Sequence, residues 1–135
     1  MSEPQTPDPF VPVVDHVTLV VRDLAASTAF YTAALAPLGI ELMRSADTDG
    51  ATAYGRPGHD DFSIVEVGEV AATTTAHVAS GAPTPDAVDR FHAAAVAAGG
   101  RSRLAPGIRT EYSTRYYAAF VTDPDGNNIE AVHHG

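Results

Sequence analysis

Two histidines and one carboxylate stand where they could hold a divalent metal ion. His16 and His77 each open an extended segment rich in β-branched residues, and Glu130 lies on the last such segment. Because side chains alternate along a strand, Glu130 is predicted to face away from Ile129, which is the natural residue to bury under a helix. Neutral imidazoles and one carboxylate leave coordination positions open, where a substrate or water can bind.

These segments belong to an internal repeat. Sliding the sequence against itself lays His16 on His77, Phe30 on Phe91 and Gly39 on Gly100. A slightly larger offset lays Glu66 on Glu130, with the difference attributed to an insertion in the second copy. Glu66 is therefore predicted to be the symmetry mate of Glu130 and a fourth candidate ligand.

Each copy of the repeat predicts one helix between strands. In the first copy a strand at about 14–21 precedes a helix that Asp23 or Ser27 can cap and that Gly39 stops, followed by strands at about 40–45, 51–55 and 62–67. The second copy predicts further strands near 101–104, 115–122 and 127–133. The fold class is therefore α+β, with two tandem βαβββ modules at about 13–70 and 73–135. Residues 1–12 are Pro-rich and are predicted to form a flexible arm before a single domain at 13–135.

The composition limits the classes of partner. A hydrophobic fraction of 44% with 19% charged residues predicts a packed globular chain. The formal net charge of -9 would repel nucleic acid and anionic membranes. The chain has no cysteine, so nitrogen and oxygen must supply any metal ligands. Without a signal-like segment or a long apolar run, the protein is predicted to be cytoplasmic.

Several motifs together resemble a known superfamily. They are Asp15–Leu24 with Phe30-Tyr31, then His77-Val78, and finally Phe120–Glu130, which contains Asp-Pro-Asp-Gly-Asn-Asn. They look like the vicinal oxygen chelate superfamily of glyoxalases, extradiol dioxygenases and bleomycin-resistance proteins, and the similarity covers nearly everything after the arm. It implies that the modules form a cupped mixed sheet around a cleft, with metal ligands on the first and fourth strands at His16, Glu66, His77 and Glu130. It also implies a homodimer, in which a twofold contact could cover open sheet edges.

The resemblance leaves three functions open. The leading hypothesis is a glyoxalase-like, metal-dependent lyase or isomerase, in which the ion (Zn, Ni, Fe, Mn or Co) chelates neighbouring oxygens of a small substrate and Glu66 or Glu130 carries a proton. One alternative is an extradiol-type ring-cleaving dioxygenase with Fe or Mn on His16, His77 and Glu130. The other is a bleomycin-resistance-like protein that sequesters a cationic drug in an acidic groove.

Candidate substrate contacts cluster near an irregular segment at 105–112. Arg109, Tyr112, Tyr116 and Tyr117 could offer a cation and phenol groups to an anionic or enolic substrate. From this group Arg109, Tyr112 and Tyr117 are predicted to bind substrate, together with Asn128 on the last strand.

Overall fold

The computed structural model describes residues 11–45 and 50–135, so residues 1–10 of the predicted arm lie outside the described residues. The elements in chain order are β1 (Val17–Val20), α1 (Leu24–Leu35), β2 (Glu41–Arg44), β3 (Ala51–Arg56), β4 (His59–Val65), β5 (His77–Gly81), α2 (Pro85–Ala97), β6 (Arg101–Ile108), β7 (Tyr117–Thr122) and β8 (Asn128–His133). Two βαβββ modules therefore follow one another, which confirms the predicted α+β fold.

Each module has its own four-stranded mixed sheet. The strand order is β1-β4-β3-β2 in the first sheet and β5-β8-β7-β6 in the second. In both sheets the first and last strands of the module run parallel, and the other neighbouring pairs run antiparallel. β1, which follows His16, and β5, which begins at His77, are therefore both edge strands.

Local sequence signals set the ends of α1. Asp23, rather than Ser27, is the N-cap, and its Oδ1 accepts a hydrogen bond from the Ala26 N–H at 3.1 Å. A 3₁₀ turn at Ala36–Leu38 follows the helix and ends at Gly39, whose φ of 77° is costly for residues with a Cβ. Within the described residues, no helix is long and apolar enough to cross a membrane.

The two helices contact each other and share one hydrophobic core with both sheets. Gly100, which precedes β6, shows how closely the modules approach, because a Cβ there would lie 2.6 Å from Phe30 Cε1 on α1. The core includes, from both modules, Leu19, Phe30, Leu35, Ile64, Phe91, Val121 and Ile129. Each sheet therefore buries one face against the helices. We call the opposite face of each sheet its open face.

A buried polar network also joins the modules. The hydroxyl of Tyr31 on α1 donates to Asp123 Oδ2 at 2.5 Å, in the turn between β7 and β8. The other oxygen of Asp123 accepts the backbone N–H groups of Asp125 and Asn127 at 2.9 and 2.8 Å. Asn127 Oδ1 in turn accepts the N–H of Ala76, the residue before β5, at 2.9 Å. The start of β5 is thus held by α1 through one turn.

The strand predicted near 101–104 is longer than expected. β6 continues to Ile108 despite Pro106, with register shifts between Ser102 and Leu104 and between Leu104 and Gly107. It lies at the edge of its sheet, where a proline that cannot donate a ladder hydrogen bond is tolerated, and where irregular pairing is common.

Candidate metal centre

His77 and Glu130 meet on the open face of the second sheet. β5 and β8 are parallel neighbours, with His77 opposite Asn128 and Ala79 opposite Glu130. His77 Nε2 donates to Glu130 Oε1 at 2.8 Å. The His77 side chain is 52% exposed, whereas Glu130 is 2% exposed. An exposed imidazole therefore stands beside a nearly buried carboxylate.

Glu130 has a second hydrogen-bond donor, which the sequence did not indicate. The hydroxyl of Tyr116, just before β7, donates to Glu130 Oε2. Both oxygens of this buried carboxylate are thus satisfied, as a buried charge requires. Burial and the bond to Glu130 raise the pKa of Tyr116 to about 12, since a phenolate beside a carboxylate is unfavourable.

His16 lies on the other sheet, immediately before β1. Its Nδ1 hydrogen-bonds Asp15 Oδ1 at 2.8 Å, and both side chains are well exposed. That bond holds the pKa of Asp15 below its ordinary value. Because Nδ1 is engaged with a carboxylate, Nε2 is the nitrogen left to bind an ion, an arrangement typical of metal-ligating histidines.

The predicted equivalence of Glu66 and Glu130 is wrong. Thr18 stands two residues after His16, as Ala79 stands two residues after His77, and the strand partner of Thr18 is Ser63. Ser63 therefore holds the place of Glu130 in the first module, and its hydroxyl bonds that of Thr18 at 2.6 Å. Glu66 follows β4, and its Oε1 accepts the N–H of Leu24, the first residue of α1, at 2.8 Å. Its carboxylate thus serves the helix start.

One chain brings together only part of the predicted ligand set. Across residues 11–45 and 50–135, no three His, Asp or Glu side chains are grouped closely enough to hold a metal ion. The second sheet offers the pair His77 and Glu130, and the first offers His16. The candidate centre is therefore divided into two half-sites on two different sheets.

The predicted substrate contacts divide in the same way. Tyr112 lies beside Tyr116, with ring centroids 4.8 Å apart. Tyr117 lies on the helix-packed face of β7, where its hydroxyl donates to Asp89 Oδ1 of α2 at 2.6 Å, and this bond raises its pKa. The guanidinium of Arg109, just after β6, donates to the backbone carbonyl of Ala105 on that strand. Tyr116, rather than Tyr117, is the tyrosine beside Glu130.

Asn128 carries an unsatisfied acceptor next to the His77 half-site. Asn128 is the strand partner of His77 and shares the parity of Glu130 on β8. Its Oδ1 is buried and lacks a hydrogen-bond partner among the described residues. Buried carbonyl oxygens are normally paired, so this oxygen is available to a donor or cation at the open face.

Two concave surfaces lie near the half-sites. A groove of about 660 Å³ runs between the edge strands and is lined by residues that include Val17, Phe62, His77 and Val78. A second hollow, of about 440 Å³, lies on the open face of the first sheet beside His16 and Ser63. Both volumes fall in the range of small-molecule sites.

The chain has two βαβββ modules, with a histidine at the equivalent place in each. Comparison with known protein families identifies the family that has this architecture. The family model described as "Glyoxalase/Bleomycin resistance protein/Dioxygenase superfamily" matches residues 13–131. This chain belongs to that superfamily. No curated protein matches it.

Solved structures agree with this assignment. A glyoxalase/bleomycin resistance protein from Albidiferax ferrireducens T118 is 34% identical, with a TM-score of 0.72 over 90% of this chain and 98% of that chain. Glyoxalase I from Zea mays is 26% identical, with a TM-score of 0.67 over 89% of this chain and 45% of that chain. A family enzyme from Burkholderia phytofirmans PsJN, at 20% identity and a TM-score of 0.69, supports the fold alone.

Proposed function

We propose that the protein is a metal-dependent lyase or isomerase of the glyoxalase-like type, acting on a small substrate that presents two neighbouring oxygens. The observation that carries this proposal is the contact of exposed His77 with buried Glu130 on an open sheet face. Carboxylates of low exposure paired with titratable groups in a cleft are typical of functional sites. Superfamily membership supports the same class of chemistry.

The donors suit a divalent ion of intermediate hardness. His16, His77 and Glu130 would supply two nitrogens and one oxygen, the ligand types that zinc, nickel, iron, manganese and cobalt accept. The unpaired Oδ1 of Asn128 beside His77 is a further oxygen that a cation or a substrate donor can satisfy. Glu66 is left out of this set, because its carboxylate is engaged at the start of α1.

A homodimer would join the two half-sites. Within one chain the helices lie between the sheets, so the open faces of His16 and Glu130 point away from the shared core. A second copy can place its first module against the second module of the other protomer, which brings His16 of one to His77 and Glu130 of the other. This chain spans less than half, 45%, of the maize glyoxalase I chain.

Glu130 is the group placed to move a proton. A bound divalent ion would supply Lewis-acid stabilisation of negative charge on neighbouring substrate oxygens. Because Oε2 is bonded to Tyr116, Oε1 of Glu130 would have to be free of the ion to accept a proton from one substrate atom and return it to the next. Its exposure of 2% limits exchange with bulk water, so part of the transferred proton is expected to stay with the substrate in deuterated solvent.

Metal content tests the proposal most directly. Protein purified without added metal and then loaded with Zn²⁺ or Co²⁺ should bind a stoichiometric ion, and His77→Ala and Glu130→Ala should lose it. His92→Ala is the matched control, because His92 bonds Ser102 Oγ at 2.7 Å, away from both half-sites. Stoichiometric binding by all variants would contradict the ligand set. Small-molecule binding that persists in chelator would favour sequestration of a drug instead.

Ser63 favours a second candidate function. With serine in the place of the second carboxylate, the donor set is two histidines and one carboxylate, which is typical of non-haem iron(II) oxygenases. An extradiol-type ring-cleaving dioxygenase is therefore the alternative. Uptake of O₂ by Fe²⁺-loaded protein with a catechol would support it, and full activity with a redox-silent ion would exclude it.

A further inference from the structure

The two oxygens of Glu130 bond two different side chains, one of which is a candidate metal ligand and the other is not. Oε1 accepts from His77 Nε2, and Oε2 accepts from the hydroxyl of Tyr116. His77 must lose a nitrogen-bound proton if that nitrogen is to bind an ion. The hydrogen bond between His77 and Glu130 is then lost. The bond from Tyr116 to the other oxygen is compatible with a carboxylate that binds an ion through Oε1 alone.

Contacts other than the bond to Glu130 also orient the Tyr116 ring. One side of the ring contacts Tyr112 at a centroid distance of 4.8 Å, and an edge-to-face contact with His134 has a centroid distance of 5.2 Å. The Tyr116 carbonyl also accepts the N–H of Arg109 at 2.7 Å. Tyr116 can therefore act as a preset donor to which the carboxylate conforms.

We propose that Tyr116 is a positioning residue for the metal centre, an inference that rests on the proposed metal-dependent function. Its hydroxyl keeps Oε2 occupied, so that Glu130 presents Oε1 towards His77 and binds through a single oxygen. Without this donor Oε2 loses the hydrogen bond that it has in the described part of the chain, and the buried carboxylate can rotate. Partners of this kind orient metal ligands, and their loss commonly weakens metal binding 10–100-fold.

Three tyrosine-to-phenylalanine variants separate positioning from general stability. Tyr116→Phe removes the hydroxyl but keeps the ring against Tyr112 and His134. Tyr112→Phe keeps the same ring cluster and leaves Glu130 untouched. Tyr117→Phe removes the hydroxyl of the next residue, which lies on the helix-packed face of the sheet and bonds Asp89 of α2. Only the first variant should change the environment of Glu130.

The measurement is Co²⁺ affinity by competition with a chromophoric chelator, together with the Co²⁺ ligand-field spectrum. Tyr116→Phe should bind Co²⁺ about 10–100-fold more weakly than wild type, with an altered spectrum, while both controls stay within about twofold. Equal affinity in Tyr116→Phe and wild type would overturn the positioning role and leave the metal proposal standing. Equal loss of Co²⁺ affinity in Tyr116→Phe and Tyr117→Phe would show that the effect is a general one on this part of the sheet. That result would also overturn the positioning role. Failure of wild type itself to bind Co²⁺ would overturn both proposals.

Discussion

Mixing two defective variants tests whether the metal centre is shared between protomers. His16→Ala removes the donor of the first module, and Glu130→Ala removes the carboxylate of the second. In one chain these residues lie on separate sheets, with no described group of three ligands joining them. If the proposed dimer assembles the centre, each variant alone should lose the ion, and the mixture should regain part of it.

The size of the recovery follows from the pairing. Random exchange between equal amounts of two homodimers gives about one half mixed dimers. In each mixed dimer, one centre has both wild-type contributions and the other has neither. About one quarter of all centres should therefore bind metal in the mixture. A centre formed within one chain predicts no recovery at any mixing ratio.

The assay is co-refolding of the two variants, loading with Zn²⁺ and elemental analysis after removal of free ion. A mixture of His77→Ala with Glu130→Ala is the matched control. Both substitutions fall in the same half-site, so no mixed dimer contains an intact centre and no recovery is expected. Recovery in neither mixture, with dimers present by sedimentation, would refute the shared centre. A strictly monomeric profile at micromolar concentration would refute the dimer itself.

Three further outcomes follow from contacts outside the metal ligands. Tyr31→Phe deletes the donor to buried Asp123 and should lower the free energy of unfolding by about 1.5–3 kcal/mol, as measured by urea denaturation; a change near zero would contradict this. Glu66→Ala should lower the free energy of unfolding by about 0.5–1 kcal/mol, because the Glu66 carboxylate accepts the first N–H of α1, and it should leave the metal content unchanged. Loss of the ion in this variant would show that Glu66 is a ligand. Tyr117 has a pKa raised by its bond to Asp89, so the folded state retains this proton more strongly than the unfolded state. The linked stability is present below pH 10 and lost as the pH rises through the raised value. Tyrosinate titrations of the wild type and of Tyr117→Phe should differ by one phenol, the Tyr117 hydroxyl, that ionises above pH 10 in the wild type.

Alternation along strands made the second half-site predictable. Ile129 is 2% exposed and packs in the core, so its neighbour Glu130 lies on the opposite face, as expected. The pairing of His77 with Glu130 also needs β5 and β8 to be parallel neighbours, as they are in the structure. The superfamily resemblance implied only that the two residues lie on the first and fourth strands of one module. The core residues Leu19 and Phe30 were predictable for the same reason, since a helix or strand position can be judged from its own segment.

Glu66 was misassigned because an internal alignment does not show where an insertion falls. The self-comparison shifted β4 by three residues against the observed pairing, and an odd shift moves a residue to the other face of a strand. Tyr116 and Tyr117 present a related ambiguity. They are adjacent aromatic residues before a run that is apolar on both faces, so composition gives no preference between them. The pairing of Phe120 with Glu130 shows that the even-numbered residues of β7 share the open face.

The position of His16 relative to His77 depends on how the two modules pack against each other, and the repeat does not encode this packing. Equivalent places in two modules fix each histidine relative to its own sheet, but they do not say which copies of the modules face each other. In this chain α1 and α2 lie together in one core, and Gly100 allows the close contact with Phe30 that holds them there. This packing turns the two open faces outward. Convergence of the two histidines, predicted within one chain, therefore becomes a property of the proposed dimer, and the quarter recovery in mixed variants is its direct measure.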